Sequence, residues 1–394
     1  MLPDTPLLNA ISKRDFSTAE TLFKNGDSIP DEVNDFDLRQ LYETVVRNKA
    51  FTILDILIDS GKINKDVYEY DSFTRSIFEI LFHYLPGDEE SIAYLKKFIG
   101  KLHNINDEVA GHTLLSFALQ EKAAPAIIQG LVDAGIRTDF KNTAEDNLIN
   151  QAVRINMIPE EKQLAYIDIF LKAGVNINEP NIVKQTALHI AVERDKTHLL
   201  EVLLSNGAKP NDQDDKGNSA FYYALAHKLS GEIYSILAPH ESADFMQQNR
   251  EAQTILSEYM RMMQGGKSDI ALLEQLIEDG ADMDQSTPYY SRQKSGWDWA
   301  VEKPIEVLQM LLKKVSRDVN TQDNDGNTLL HKVCAIDCNY SQETARDLYK
   351  KAKLLLEAGA DASITNIKDE TAFMLASKDN LKTKLVALLL EAKK

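Results

Sequence analysis

Four stretches hold residue types that could do chemistry, and none of them makes a site. Gln264 to Asp269, "QGGKSD", has the glycines and lysine of a phosphate-binding loop. That cradle needs another glycine five positions before the second, where Arg261 stands, and no strand pattern precedes it. The stretch reads as a link between helices. Thr321 to Asn327, "TQDNDGN", has the oxygens of a calcium loop, but the twelfth position is Lys332 where a bidentate glutamate is required. His331, Cys334 and Cys338 fall at i, i+3 and i+7, a zinc-like arrangement on one predicted helix face. Ala238 to Ser242, "APHES", brings His, Glu and Ser together, but a triad needs convergence from distant parts of a fold. No catalytic residue, cofactor site or metal site is assigned, and the expectation is a non-enzyme.

The aromatic stretch "STPYYSRQKSGWDWAV", Ser286 to Val301, carries both tryptophans of the chain. Trp, Tyr and Arg most often supply binding energy at protein interfaces. Tyr289, Tyr290 and Arg292 fall in an extended turn and Trp299 just after it, so these four are candidate partner contacts, with packing as the alternative. Trp297 is expected to fill core space.

The elements that must position these residues recur. Helix ends repeat as "LFKNGD" at Gly26, "LIDSGK" at Gly61, "LVDAGI" at Gly135, "FLKAGV" at Gly174, "LLSNGA" at Gly207, "LIEDGA" at Gly280 and "LLEAGA" at Gly359. Gly135, Gly174 and Gly207 stand 39 and 33 positions apart, and the two later gaps are each about two units. The missing helix ends fall near Ala238 and Val315. A glycine past the last turn takes the left-handed conformation without a side-chain clash. Helix starts repeat as "HTLLSFA", "QTALHIA", "NSAFYYA", "NTLLHKV" and "ETAFMLA", each with a hydroxyl placed to cap free N–H groups. An alanine at 118, 191, 224 and 376 leaves room for a neighbouring helix. Each unit is thus turn, short helix, tight link, longer helix, glycine. One such pair cannot bury its apolar faces, and a stack can.

This pattern resembles the ankyrin-repeat family. Residues 181–211 match best, "DNDGNTLLHKVC" with "AKLLLEAGADASITN" next. The resemblance implies an all-α solenoid of stacked helix-turn-helix units, about eleven in number. Residues 1–110 read as divergent repeats, 111–237 as well-matching ones, 238–320 as divergent with the aromatic insertion, and 321–394 as C-terminal repeats. His331 then takes the structural place of His189. The family's proline survives only at Pro6, and Lys184 and Asp369 stand where a turn glycine is usual.

The resemblance also implies a scaffold that binds a protein partner through turn fingers and exposed first-helix positions. Carried over, these are Ile182, Val183, Gln185, Glu193 and Arg194, then Asp215, Lys216, Asn218 and His227, then Asn324, Asp325 and Asn327. The balance of 44 basic against 61 acidic residues, a formal charge of -17, disfavours nucleic acid and anionic membranes and favours a basic or mixed partner surface. The chain is expected to be a cytoplasmic monomer, with self-association through "LKTKLVALLLEAKK" as the exception. Two rival readings are an effector delivered into a host cell without a cleaved signal, occluding an enzyme there, and an enzyme with a catalytic fold hidden in the divergent segments.

Overall fold

The computed structural model describes residues 5–392 and divides into two compact units, residues up to 208 and from 209. Helices follow one another in pairs. In the first unit they are Pro6–Ser12 with Phe16–Lys24, Asp35–Arg47 with Phe51–Asp59, and Ile77–Tyr84 with Glu89–Ile99. Leu114–Gln120 with Pro125–Asp133, Leu148–Arg154 with Glu160–Lys172, and Ala187–Glu193 with Thr197–Ser205 complete it. The second unit begins with Ala220–Tyr222, which runs into a π turn, Tyr223–His227, and pairs with Gly231–Leu237. Ile255–Met262 with Lys267–Glu278, Gly296–Ala300 with Ile305–Lys314, Leu329–Ala335 with Gln342–Glu357, and Ala372–Ala376 with Thr383–Ala392 follow. The fold is all-α apart from one antiparallel hairpin, Ser286–Tyr289 with Arg292–Ser295.

The sequence signals act where the pattern places them. Leu199, Leu200, Leu203 and Leu204 form one buried stripe, each leucine contributing about 1.5–3 kcal/mol by leaving water. Ala118, Ala191, Ala224 and Ala376 are completely buried, so their methyl groups sit where a larger side chain would hold the helices apart. Thr113, Ser219, Thr328 and Thr371 each accept a backbone N–H of the first helical turn. The seven repeat-ending glycines all have φ between 76° and 105°. None would have an added Cβ within 4 Å of another group, so the backbone angle and not lack of space selects glycine there. Where the pattern leaves its two gaps the helices end at Leu237 and Lys314, next to Ala238 and Val315, and Glu89–Ile99 also ends without a left-handed residue because Gly100 keeps φ -64°.

The π turn has a local cause. From the capping Thr186 to the left-handed Asp195 is nine residues; from Ser219 to the left-handed Leu229 is ten. One added residue is absorbed by widening the last turn of the short helix.

A lysine device, silent in the sequence pattern, ties repeats together. Lys162 Nζ donates to Lys122 O at 2.5 Å and Lys196 Nζ to Ile155 O at 3.2 Å. Lys303 Nζ reaches Arg261 O and Met263 O at 2.8 and 2.7 Å, Lys351 Nζ Val301 O at 3.0 Å, and Lys382 Nζ Cys334 O at 2.9 Å. In every case the acceptor lies at or just past the end of the preceding pair's first helix. Those carbonyls lack intrahelical partners and carry the negative end of the helix dipole, so an ammonium group satisfies both. Lys351 and Lys382 are 2% and 3% exposed.

Two expectations are corrected here. Where an extended turn was expected, the segment Ser286 to Ser295 is a two-stranded hairpin, with register Ser286 to Ser295 through Tyr289 to Arg292. Cys338 does not share a helix with His331 and Cys334. The helix stops at Ala335 because Ile336 is extended, and Cys338 lies in the following loop.

Candidate protein-binding surface

The fingers are the turns that precede each first helix. In most, one Asn or Asp organises the turn by accepting two backbone N–H groups. Asn181 Oδ1 takes those of Val183 and Gln185 at 3.1 and 2.9 Å, Asp214 those of Lys216 and Asn218, and Asp323 those of Asp325 and Asn327. Asn142, Asn249 and Asn366 do the same. Each stands five residues before its helix-capping residue, a period that was present in the sequence and would have located the fingers directly. Adjacent fingers are also joined through backbone: Ile182 N–H to Ala144 O, Arg250 N–H to Lys216 O, and Ile367 N–H to Asp325 O, at 2.9 to 3.1 Å. Backbone bonding thus fixes the tips while their side chains point outward.

In the first unit Ile182 and Val183 are 60% and 45% exposed, an apolar pair on a rigid turn. Gln185 Nε2 donates to Glu193 Oε2 at 3.2 Å, and Glu193 and Arg194 are exposed at the end of the short helix. In the second unit Lys216 and His227 are exposed, Asp215 is half-buried and pairs with Arg250 at 2.9 Å, and the His227 ring meets Tyr222 and Tyr223 edge-on. Asn324 and Asp325 are exposed, and Asn327 is half-buried, accepting from Asn366 Nδ2 of the next finger.

Two candidates are not on the surface. Asn218 is 4% exposed because its Oδ1 accepts from Asn249 Nδ2 of the next finger at 3.3 Å. Trp299 is 5% exposed, covered by Lys294, whose Nζ lies 3.8 Å above the ring, and by the edge of Tyr289 at 4.8 Å. Trp297 is fully buried, the core role expected of it. Tyr289 is half-buried, whereas Tyr290 and Arg292 are exposed at the hairpin end.

The chemistry-like stretches are occupied by the chain's own groups. In "QGGKSD" the backbone N–H groups of Gln264, Gly265 and Gly266 all point to Asp269 Oδ2. The carboxylate fills the place an anion would take. In the calcium-like loop the Lys332 ammonium sits 2.9 Å from Asp323 Oδ2. His331 uses both ring nitrogens, on Thr328 Oγ1 at 2.8 Å and Glu370 O at 3.1 Å, and burial lowers its pKa. Burial pushes the thiols of Cys334 and Cys338 up to about 12 and about 11, which holds them protonated. No group of three His, Cys, Asp or Glu side chains able to hold a metal occurs among the described residues. None of their helices is long and apolar enough to cross a membrane.

Paired helices, left-handed closing glycines and linked fingers make a repeat of one kind, and residues 149–249 match the family model "Ankyrin repeats (3 copies)". The chain carries ankyrin repeats. Over 213 residues it is 27% identical to the B-cell lymphoma 3 protein homolog of Mus musculus, covering 53% of this chain and 44% of that protein. Over 196 residues it is 30% identical to the nuclear factor NF-kappa-B p105 subunit of Gallus gallus, covering 49% of this chain and 18% of that one. Among solved structures, the ankyrin repeat domain of Bcl-3, a member of the IkappaB protein family, shares 24% identity over 62% of this chain and 98% of its own, with a TM-score of 0.49. The chain therefore spans less than half the length of these curated relatives. Ankyrin repeats indicate a protein–protein interaction module.

Proposed function

We propose that this ankyrin-repeat chain is a non-enzymatic scaffold that binds a protein partner through its finger tips and the exposed ends of its short helices. The observation that carries the reading is the pairing of fixed backbone with exposed apolar side chains. Ile182, Ile367 and Tyr290 are 60%, 67% and 92% exposed at finger ends, and a rigid apolar tip loses little entropy on association. What supports a scaffold over a hidden catalytic fold is that residues 5–110 and 238–320 form helix pairs of the same kind, with a 3-10 turn at Val67–Glu69 and the hairpin added. In the first unit the contact residues are Ile182, Val183, Gln185, Glu193 and Arg194. In the second they are Asp215, Lys216, His227, Tyr289, Tyr290, Arg292, Asn324, Asp325 and Asn327. The excess of acid favours a partner of basic or mixed surface, whose association slows as salt rises.

Crosslinking of the full chain in a lysate, followed by mass spectrometry of the joined peptides, tests this reading. Crosslinks should fall on the fingers, and replacing both Ile182 and Val183 by Asp should weaken capture by ten-fold or more. Crosslinks confined to the outer helices, with finger variants indistinguishable from the parent chain, would overturn it.

A further inference from the structure

One finger is built unlike the rest. Where six others close in five residues around an Asn or Asp, the one before Gly296–Ala300 is the hairpin Ser286 to Ser295. Its side chains are two tyrosines, Arg292, Lys294 and neutral groups, with no carboxylate, although acids outnumber bases 61 to 44 along the chain. Lys294 is neutralised by Glu302 at 2.7 Å and spread over the faces of Tyr289 and Trp299. Arg292 is exposed at the end of the ladder, directly opposite Tyr289. Tyr290, 92% exposed, is held at φ 51°, a conformation that costs a bulky residue energy and that glycine or asparagine would adopt more readily. A strained, exposed tyrosine at a tip is the kind of feature that accompanies a contact.

A second observation concerns the base of the same hairpin. Of six buried side-chain polar atoms without a hydrogen-bond partner among the described residues, four belong to Gln285, Trp297, Trp299 and Arg317. Three of the four are N–H donors: the indole nitrogens of both tryptophans and Arg317 Nε. The polar accounting of the molecule is least complete where its only tryptophans lie, and the surplus is of donors. Those atoms are buried, and what the finger exposes is Arg292 and Tyr290, a cation and an aromatic ring that complement an anionic group.

We propose that the Ser286–Ser295 hairpin docks an acidic segment of a partner protein, with Arg292 pairing its carboxylates and Tyr290 packing against its backbone. The proposal rests on the scaffold reading above and adds the local charge of the partner, opposite in sign to what the chain as a whole attracts. Arginine forks bind carboxylates in two parallel bonds, which gives the contact orientation as well as strength. The hairpin ladder and the Tyr289–Trp299 packing hold that end ready.

Because both tryptophans lie at the site, their emission reports on it without a label. The full chain is titrated at low salt with a deca-glutamate peptide and, separately, with a deca-lysine peptide. A saturable change with the glutamate peptide alone is expected, weakened ten-fold or more by Arg292→Glu and several-fold by Tyr290→Ala, in variants whose circular dichroism and melting temperature match the parent. No saturable response to the glutamate peptide, an equal response to both peptides, or an undiminished response in Arg292→Glu overturns the proposal. A partner captured equally by the parent and Arg292→Glu chains would sink the hairpin while leaving the scaffold reading intact. Absence of any finger crosslink would sink the scaffold itself.

Discussion

The finger at Asp323 to Asn327 and the hairpin finger at Ser286 to Ser295 solve the same problem by different means. In the first, one carboxylate oxygen collects two N–H groups, Gly326 takes φ 74°, and Ile367 of the next finger bonds back to Asp325 O. Nothing in it is strained, and the adjacent chain closes over it. In the hairpin a two-stranded ladder replaces the carboxylate, a tyrosine takes the left-handed position, and donors at the base stay unmatched. The short finger is built for packing against its neighbour. The long one leaves side chains to spare, and a surface loop released from packing is free to serve recognition.

The largest expected effect breaks the short finger. A Cβ on Gly326 would lie 2.9 Å from Ile367 N and 3.1 Å from Asn366 Cα, both backbone, and at a left-handed φ. Gly326→Ala should cost about 3 kcal/mol, the sum of a left-handed penalty of about 1–2 and the clash. Gly280→Ala, equally left-handed but facing open space, should cost only about 1–2 kcal/mol. Urea titrations of the two variants settle the ranking, and equal losses would show that finger-to-finger packing adds nothing.

Next comes the lysine device. Lys351→Met keeps the stem and removes the ammonium, leaving Val301 O unbonded and Asp347, 2.5 Å from Nζ, without its cation. A loss of about 1.5–3 kcal/mol is expected for one charged hydrogen bond. An unchanged urea midpoint would mean that the cost of burying the charge cancels the bond.

Alkali should act more gradually. Burial raises the pKa of Tyr42, Tyr94, Tyr166, Tyr222, Tyr234 and Tyr259, and takes Tyr70 up to about 12. These phenols stay protonated in the fold after the unfolded chain has begun to ionise near about pH 10. Their contribution is complete below that pH and is lost as pH rises through the folded values. Lys162 and Lys303 work in the opposite sense, since burial lowers their pKa and alkali relieves their penalty, but two lysines are outweighed by seven tyrosines. Helical circular dichroism should fall above about pH 10; an increase there would contradict the assignment.

The smallest effect sharpens the contrast from the hairpin side. Tyr290→Gly removes the left-handed penalty of about 1–2 kcal/mol and gives back about 0.5–1 in unfolded-chain entropy. The melting temperature should hold steady or rise slightly while binding of the glutamate peptide weakens several-fold. A clear drop would mean that Tyr290 serves the fold.

How much of this was legible follows from distance along the chain. Closing glycines, capping hydroxyls and buried alanines act within a turn or two, so their residue types announce them. The finger-organising Asn and Asp residues are equally local and were visible as a period. The lysine bonds join residues 40 to 50 positions apart, and no local pattern distinguishes Lys351 from Lys350. The same reach explains Asn218, buried by a finger 31 residues later. Trp299 was obscured differently: a hairpin of Ser, Thr, Pro, Tyr, Arg, Gln and Lys shows no apolar alternation, and it supplies the Tyr289 and Lys294 that lie against that ring.

The lysine device gives the second unit a direction. Lys382 belongs to the last pair and completes the helix that ends near Cys334; Lys351 belongs to the pair before and completes the one ending near Val301. With Lys303 completing the helix that ends near Met263, three successive layers of this unit are each finished by the next. Trimming these pairs from the C-terminal side therefore strips a cation from a carbonyl at each of three steps, whereas a layer lost from the opposite side leaves only an idle amine that can turn to water. Fraying should accordingly be lopsided, and grafts of foreign repeats should take more readily when the incoming segment brings its own lysine.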